Sequence, residues 1–577
     1  MGPLDPILVT VVAMFSGYLN GSRTWAGFNS PDSEFYATLA LFGHEVTDRA
    51  IEPGYFWTRL GYIAPVRALT SVLGPWNGFA AWRFILIWLI AFSVACVVLR
   101  YSNRSLALIA AALVTSNTMI LSYVGNTYVT GTVLAALCVL IACGIWGMAA
   151  RTRMTWLPAG CAGATIAWLA MLNPYGCLLG IATWIALRAI AFTQHSEAVS
   201  EPRWTSLRRD AVAVTGFGAV TFAAFLLLGR VMFREFEWFS TYLYWNSRLN
   251  QADFASDPLV WTHDRALAVP ALALGAGLAV CVISRWRPAA LVGFLLACVT
   301  VGFALLYVLV SPGPTLESSY YIAMLWPAAL MSLALSAAAV SPPSIDRVSA
   351  LIVITVGSGF VLVSIRAGTS QDPFSANAAI AWVLLWTGVF ALAAVVWQRL
   401  RGQATTHLIA ACSAVGVLAL GGSMTTAQYL QNGRGSIGWF SQYPFASAYV
   451  DFGAEDAMRT KVRVQQWLLD RTSPVDTIAV WTDPDRMLSS VAAMQLWGAD
   501  NLVTGAATLG RDDINRLQSM RPTVIAMYAP TREQIVAFHT SIPAWARPSP
   551  LECIDVRLPD ARAATSTACI TRLDWLT

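Results

Sequence analysis

The sequence predicts a polytopic α-helical membrane protein whose chain ends in a small α/β domain outside the membrane. Three observations carry that expectation. Of 577 residues, 56% are hydrophobic and 12% charged, with a mean hydropathy of +0.57; a soluble domain carries about 25% charged residues. Apolar stretches recur up to residue 426 at lengths near the ~20 residues that cross a hydrocarbon layer. Beyond Asp451 this texture gives way to short strands and helices in alternation.

Thirteen apolar stretches lie near 6–22, 81–99, 105–122, 129–149, 155–173, 176–193, 211–233, 264–283, 288–310, 321–340, 348–365, 378–397 and 407–426. The first is short for a crossing. It lacks a basic start and a small-residue cleavage site, so it reads as a retained anchor and not as a removed signal peptide. The 24 tryptophans, many near the ends of apolar runs, suit the aromatic belts of the two interfaces.

Arginine sets the expected orientation. With the N-terminus in the cytoplasm, the inner loops hold thirteen arginines: Arg100, Arg104, Arg151, Arg153, Arg188, Arg203, Arg208, Arg209, Arg285, Arg287, Arg347, Arg399 and Arg401. The outer loops beyond the second span hold five: Arg230, Arg234, Arg248, Arg265 and Arg366. Basic loops stay inside. Thirteen crossings then put the first loop (21–80) and the tail on the outer face. The net charge of +5 is spread among loops, which argues for topology and against nucleic acid. The preference for arginine over lysine and the high alanine content point to a GC-rich bacterium, hence to a bacterial cytoplasmic membrane.

Residues 1–427 are thus expected to form the membrane module. The aromatic, Gly-rich 428–450 reads as a linker on the interface, and 451–577 as the outer domain. In the tail, EDAMRTKVRVQQWLLD has helical spacing, DTIAVWTD (476–483) reads as a strand, and DPDRMLSSVAAMQLWG (483–498) as a helix. NLVTG, DDINRLQSM, PTVIAMYAP and TREQIVAFH continue the alternation, and two strand-like runs close the chain. No phosphate-cradling glycine motif opens these helices. Eight of the ten cysteines lie in apolar spans, where a thiol is a small apolar group. Cys553 and Cys569 lie outside them, and in an oxidising compartment they are expected to pair. No Cys/His spacing resembles a metal site, and no divalent metal is indicated.

The first outer loop concentrates chemistry. PDSEFY (31–36) opens it, followed by two amphipathic helical segments too short to span, SEFYATLALFGHEV and TRLGYIAPVRALTSVLG. PDSEFY also reads as a plain helix start: Ser30 suits the cap, Pro31 the first turn, and Asp32 and Glu34 the dipole. Arg59 and Arg67 suit either interfacial snorkelling or phosphate contact. His44 reads as a surface helix residue or as a ligand.

PDSEFY with YFWTRLGYIAPVR (55–67), in this arrangement of loops and tail, resembles the GT-C superfamily of membrane glycosyltransferases. The resemblance implies a polyprenyl-phosphate-linked sugar as donor, with Asp32 as general base and Glu34 as the alternative acid. Arg59, Arg67, His44 and Tyr36 are then the residues expected at the donor's phosphate and lipid. The second outer loop, LSYVGNTYVTG (121–131), has no acid, which departs from the pattern of many members and puts a second catalytic acid and a metal in doubt. The aromatic loop 235–264 offers Tyr242, Tyr244, Trp245, Asn246 and Arg248, residue types that stack on and hydrogen-bond sugars. Glu317, Tyr320 and Tyr321 stand at another outer helix entry. The expected acceptor is an envelope glycan, a glycolipid or a secreted protein, and arabinofuranose and mannose are the sugars that the resemblance implies. A polyprenyl-glycan flippase or other transporter, and a glycan ligase or polymerase, remain the alternatives. The spans hold almost no charge away from their ends and show no inverted halves, unlike transporters.

Overall fold

The computed structural model describes residues 31–47, 55–102, 104–115, 118–125, 128–149, 156–193, 203–234, 237–249, 268–283, 287–310, 318–340, 454–482, 509–529, 531–556 and 566–575. The expected spans at 6–22, 348–365, 378–397 and 407–426, the linker, and the expected helix at 483–498 lie outside them.

The first outer loop folds as α1 (Pro31–Phe42), a short α2 (His44–Thr47), a 3-10 turn (Tyr55–Thr58) and α3 (Leu60–Leu73). Gly43, at φ +54°, separates α1 from α2, and Gly74, at φ +80°, separates α3 from α4 (Pro75–Leu99). Both conformations lie in the left-handed region that glycine tolerates best. Pro75 then opens α4, because its fixed φ and missing N–H suit a first turn. The second expected span therefore begins six residues earlier than its apolar run.

The bundle continues with α5 (Arg104–Thr115), α6 (Thr118–Gly125), α7 (Val129–Ala149), α8 (Trp156–Ala170), α9 (Pro174–Thr193) and α10 (Arg203–Phe233). After α11 (Trp238–Leu249) come α12 (Ala268–Ile283), α13 (Pro288–Val310) and α14 (Ser318–Val340). Among the described residues, 77–99, 129–148, 174–192 and 207–233 form helices long and apolar enough to cross a membrane. α8, at 15 residues, is shorter than its apolar run predicts. It crosses α10 closely: a Cβ on Gly163 would stand 2.1 Å from the Val214 carbonyl oxygen, and one on Gly160 3.0 Å from the Phe217 ring. Small residues let membrane helices approach like this.

Helix ends sort into two poles. At one lie Tyr128 before α7, Met171 after α8 and Phe233 of α10, which touch the expected first outer loop, and Tyr175 of α9, which acts on Tyr242 beyond α10. At the other, Arg188 of α9 donates to Asp210 of α10 (2.9 Å) and to the Gly144 carbonyl of α7, with its guanidinium 4.4 Å from the Trp184 ring centroid. One arginine of the expected inner loops is thus a buried tie among three helices.

The outer loop is anchored by a defect in α3. Pro65 stands inside that helix and has no N–H, so the Gly61 carbonyl four residues back loses its helical donor. The Trp168 indole of α8 supplies the missing bond (2.8 Å), and the Gly61 N–H donates to the Met171 carbonyl (3.1 Å). Only a glycine fits there: a Cβ would stand 2.8 Å from Leu172 and 2.9 Å from Trp168.

The tail comprises α15 (Ala454–Leu469), β1 (Ile478–Thr482), α16 (Arg511–Met520), β2 (Val524–Ala529), α17 (Arg532–Thr540), β3 (Glu552–Val556) and β4 (Ser566–Arg572). Strand order is β1-β2-β4-β3, with β1 parallel to β2 and the other pairs antiparallel. Side chains alternate between two layers. Ala479, Trp481, Ile525 and Met527 face α16 and α17, where Trp481 stacks on Phe538 at 4.6 Å. Ile478, Val480, Val524 and Ala526 join Val464, Trp467 and Leu468 of α15 in the core that continues into the membrane bundle. TREQ opens α17 as a capping box, the Gln534 N–H donating to the Thr531 hydroxyl (3.4 Å) and the Thr531 N–H to the Gln534 side chain (3.2 Å). Cys553 and Cys569 face each other across β3 and β4 and are joined as a disulfide, Cα atoms 4.1 Å apart.

Replacing Trp168 by Phe keeps the ring but strands the Gly61 carbonyl. The expected loss is about 1–3 kcal/mol, read as a lowered unfolding midpoint in detergent; an unchanged midpoint contradicts the anchoring role. Asp476, with 10% of its side chain exposed, gives a second test. Burial alone would raise its pKa, but the Ser473 N–H (2.8 Å), the Thr523 hydroxyl (3.1 Å) and Arg572 (3.3 Å) together hold it below the ordinary 3.8. A depressed folded-state pKa contributes stability that is present above the unfolded value and lost as pH falls through the folded one. Acidification below about pH 4 is therefore expected to loosen the tail, measured as proteolytic susceptibility of the intact protein. Asp476→Asn should flatten that pH dependence.

Candidate active site

α1 carries the two acids of PDSEFY in its first turn, Asp32 one turn before Tyr36. The backbones of Asp32 and Glu34 are described, their side chains are not. From Phe35 to Ala40 every side chain of α1 is buried. Tyr36, wholly buried, meets three rings edge-on: Phe56 and Tyr128 at 5.3 Å and Tyr62 at 5.7 Å. Phe35 stacks on Phe56 at 4.4 Å. Tyr128 comes from the second outer loop, which lacks acids but brings an aromatic wall. Nothing in the sequence distinguishes Tyr128 from other interfacial tyrosines, because its partner lies about ninety positions away.

Arg59 joins the 3-10 turn to α3 and is 5% exposed. Its guanidinium carbon lies 4.5 Å from the Tyr55 ring centroid, and its buried Nε has no hydrogen-bond partner among the described residues. The turn is clamped from α11: the Trp238 indole donates to the Thr58 carbonyl (2.9 Å), and Trp238 stacks on Tyr242 at 5.0 Å. Burial raises the pKa of the Tyr242 hydroxyl, and the neighbouring Arg59 charge opposes that rise. The structure therefore brings Arg59 and Tyr242 together from segments that the sequence separates.

Arg67 stands elsewhere. It donates to the Leu41 (3.0 Å) and Ala40 (3.4 Å) carbonyls at the C-terminal end of α1, where a cation suits the helix dipole. Burial lowers its pKa and Glu45 counteracts this. His44 is half-buried beside it at the start of α2, and Tyr244 of α11 is exposed. Trp245, Asn246 and Arg248 lie on α11, and Tyr320 and Tyr321 in the first turns of α14; only their backbone is described. Glu317 lies outside the described residues. Among those described, no group of three His, Cys, Asp or Glu is placed to hold a metal ion.

An acid-bearing helix, a buried arginine with no carboxylate partner among the described residues, and an aromatic wall thus meet at one pole of a membrane bundle. No family model matches the chain, and no curated protein matches it in sequence. Its structure is similar to that of ArnT from Cupriavidus metallidurans bound to undecaprenyl phosphate, with a TM-score of 0.50 at 11% identity over 98% of this chain and 97% of that one. The chain has the GT-C fold. Two further GT-C structures overlap it less. The arabinosyltransferase EmbB from Mycobacterium smegmatis gives a TM-score of 0.42 at 16% identity, over 79% of this chain and 43% of that one. The oligosaccharyltransferase AglB from Archaeoglobus fulgidus, in complex with an inhibitory peptide and a dolichol-phosphate, gives 0.40 at 12%, over 91% and 69%. In this GT-C fold α1 and α3 are packed on the helical bundle and are not free amphipaths.

Gly43 tests how tightly Arg67 holds α1. A Cβ there would lie 2.6 Å from the Arg67 guanidinium carbon at a backbone φ of +54°. Gly43→Ala is expected to cost about 1–2 kcal/mol from the left-handed conformation alone, with more from displacing Arg67. A thermal midpoint equal to that of the parent protein would contradict the arrangement.

Proposed function

We propose that this protein is a membrane glycosyltransferase that moves a monosaccharide from a polyprenyl-phosphate donor to an acceptor outside the cytoplasm. The observation that carries this reading is Arg59. A buried guanidinium is costly unless an anion compensates it, and the described residues offer a tyrosine face and no carboxylate. A donor phosphate supplies that anion, and arginine's planar fork suits it. The GT-C fold and the apolar spans supply a lipid-facing scaffold for a polyprenyl tail.

In the proposed reaction the acceptor hydroxyl oxygen attacks the anomeric carbon while the bond from that carbon to the phosphate oxygen breaks. The hydroxyl proton passes to the Asp32 carboxylate, and the leaving electron pair stays on the phosphate, facing Arg59. Direct displacement inverts the anomeric centre. Tyr36, wholly buried among three rings, backs α1; Arg67 holds the C-terminal end of that helix, and His44 is the proposed contact there for the donor. Tyr242, Tyr244, Trp245, Asn246 and Arg248 of α11, with Glu317, Tyr320 and Tyr321 at the start of α14, are the proposed contacts for sugar and acceptor. The proposed setting is a bacterial cytoplasmic membrane with the N-terminus inside and the tail outside. The acceptor is an envelope glycan, a glycolipid or a secreted protein, and an arabinofuranosyl or mannosyl group is the proposed cargo.

Asp32→Asn keeps the shape and the capping ability of the residue but removes the base. Sugar transfer from a synthetic polyprenyl-phosphate donor is expected to fall about 10²- to 10⁴-fold, with donor binding and unfolding midpoint retained. Normal turnover would move the base to Glu34, two residues on and on another face of the helix.

A further inference from the structure

We propose that Gln465 of the tail is a positioning residue for α1, so that the outer domain completes the active-site scaffold of the membrane module. This rests on the glycosyltransferase reading above. The Thr38 hydroxyl donates to the Gln465 side-chain oxygen at 3.3 Å, across 427 positions of sequence. Both side chains are buried, at 0% and 3% exposure, so neither loses its partner to water without cost. Thr38 stands two residues beyond Tyr36 and six beyond Asp32, on the helix whose register sets where the acid is presented.

The rest of α15 is held rigidly enough to serve as a reference. Val464, Trp467 and Leu468 flank Gln465 in the same buried core as Phe35, Tyr36 and Leu39. At its end, Arg471 lies 4.7 Å from the Trp467 ring centroid and pairs with Glu552 of β3, the strand that the Cys553–Cys569 disulfide ties to β4. A continuous set of contacts therefore runs from the disulfide-bonded sheet through α15 to α1. An apolar contact alone would let α1 slide along or turn about its axis. The buried polar pair between the two helices favours a single register.

The test uses full-length protein in detergent or nanodiscs and four variants: Gln465→Leu, Thr38→Val, their double mutant and Thr38→Ser. Hydrogen exchange of residues 31–42 is read beside kcat and KM for a synthetic polyprenyl-phosphate donor. Each of the first two is expected to speed exchange in α1 while leaving exchange in β2 unchanged, and to lower kcat about 10-fold or more with donor KM within about twofold, since small misplacements of reacting groups are costly. The double mutant should lose no more than either single change, because partners in one bond do not add. Thr38→Ser, which keeps the hydroxyl, should restore both readouts. Unchanged exchange in α1 overturns the coupling. Faster exchange with unchanged kcat overturns the positioning role, as does a kcat loss shared by Thr38→Ser. A parent protein inactive on every polyprenyl-phosphate donor, with α1 exchange still governed by Gln465, overturns the functional reading and with it the role in catalysis, and leaves the contact between tail and loop intact.

Discussion

The bond from the Trp168 indole to the Gly61 carbonyl is the contact on which the candidate site depends. A proline inside a helix ordinarily weakens it, and here the carbonyl that Pro65 frees becomes the place where the loop is fastened to the bundle. Gly61 permits the approach because any Cβ would strike Trp168 or Leu172. Proline, glycine and tryptophan act as one device. Once it holds, α3 packs against α8 and α10, Arg59 is buried at its start, and α1 is capped by Arg67 from the facing helix.

Three arginines show how one residue type takes different roles in a chain with few charges. Arg188 is compensated by Asp210, a carbonyl and a tryptophan face, and ties three helices at the pole away from the site. Arg67 is spent on the carbonyls of a helix end. Arg59 is 5% exposed, yet its described surroundings are a tyrosine ring and a neighbouring tyrosine hydroxyl. Desolvating a cation without an anion is costly, and folded chains keep such costs where a ligand removes them. Ordinary packing accounts for the first two arginines; for the third, the described residues supply no anion, and that is what supports the proposed donor phosphate.

The C-terminal domain follows the same economy. Its sheet has two apolar faces, and a sheet must cover both. α16 and α17 cover one, and α15 covers the other while turning its own remaining side toward α1. The tail is therefore joined to the first outer loop through a shared core, with Thr38 and Gln465 satisfied inside it.

The sequence by itself determined the class and much of the local order. Among the described residues, four of the apolar runs become helices long and apolar enough to cross a membrane, since backbone groups in hydrocarbon must bond within their own segment. The alternation of the tail becomes β1, α16, β2 and α17, because the period of two, TREQ capping and the turn residues are local signals. PDSEFY becomes a helix start for the same reason. Tertiary structure alone decided which residues meet. Tyr128 reaches Tyr36, Trp238 clamps the turn before Arg59, Trp168 completes a helix broken by Pro65, and Gln465 reaches Thr38, each across dozens to hundreds of positions. No local pattern encodes such pairs, since a tryptophan at a helix end looks the same whether its indole faces lipid headgroups or a stranded carbonyl. Arg59 and Arg67 are equally basic and eight residues apart in sequence. Their different burial and partners arise only when α3 is laid against α1 on one side and α8 on the other, because desolvation depends on what surrounds a charge in space.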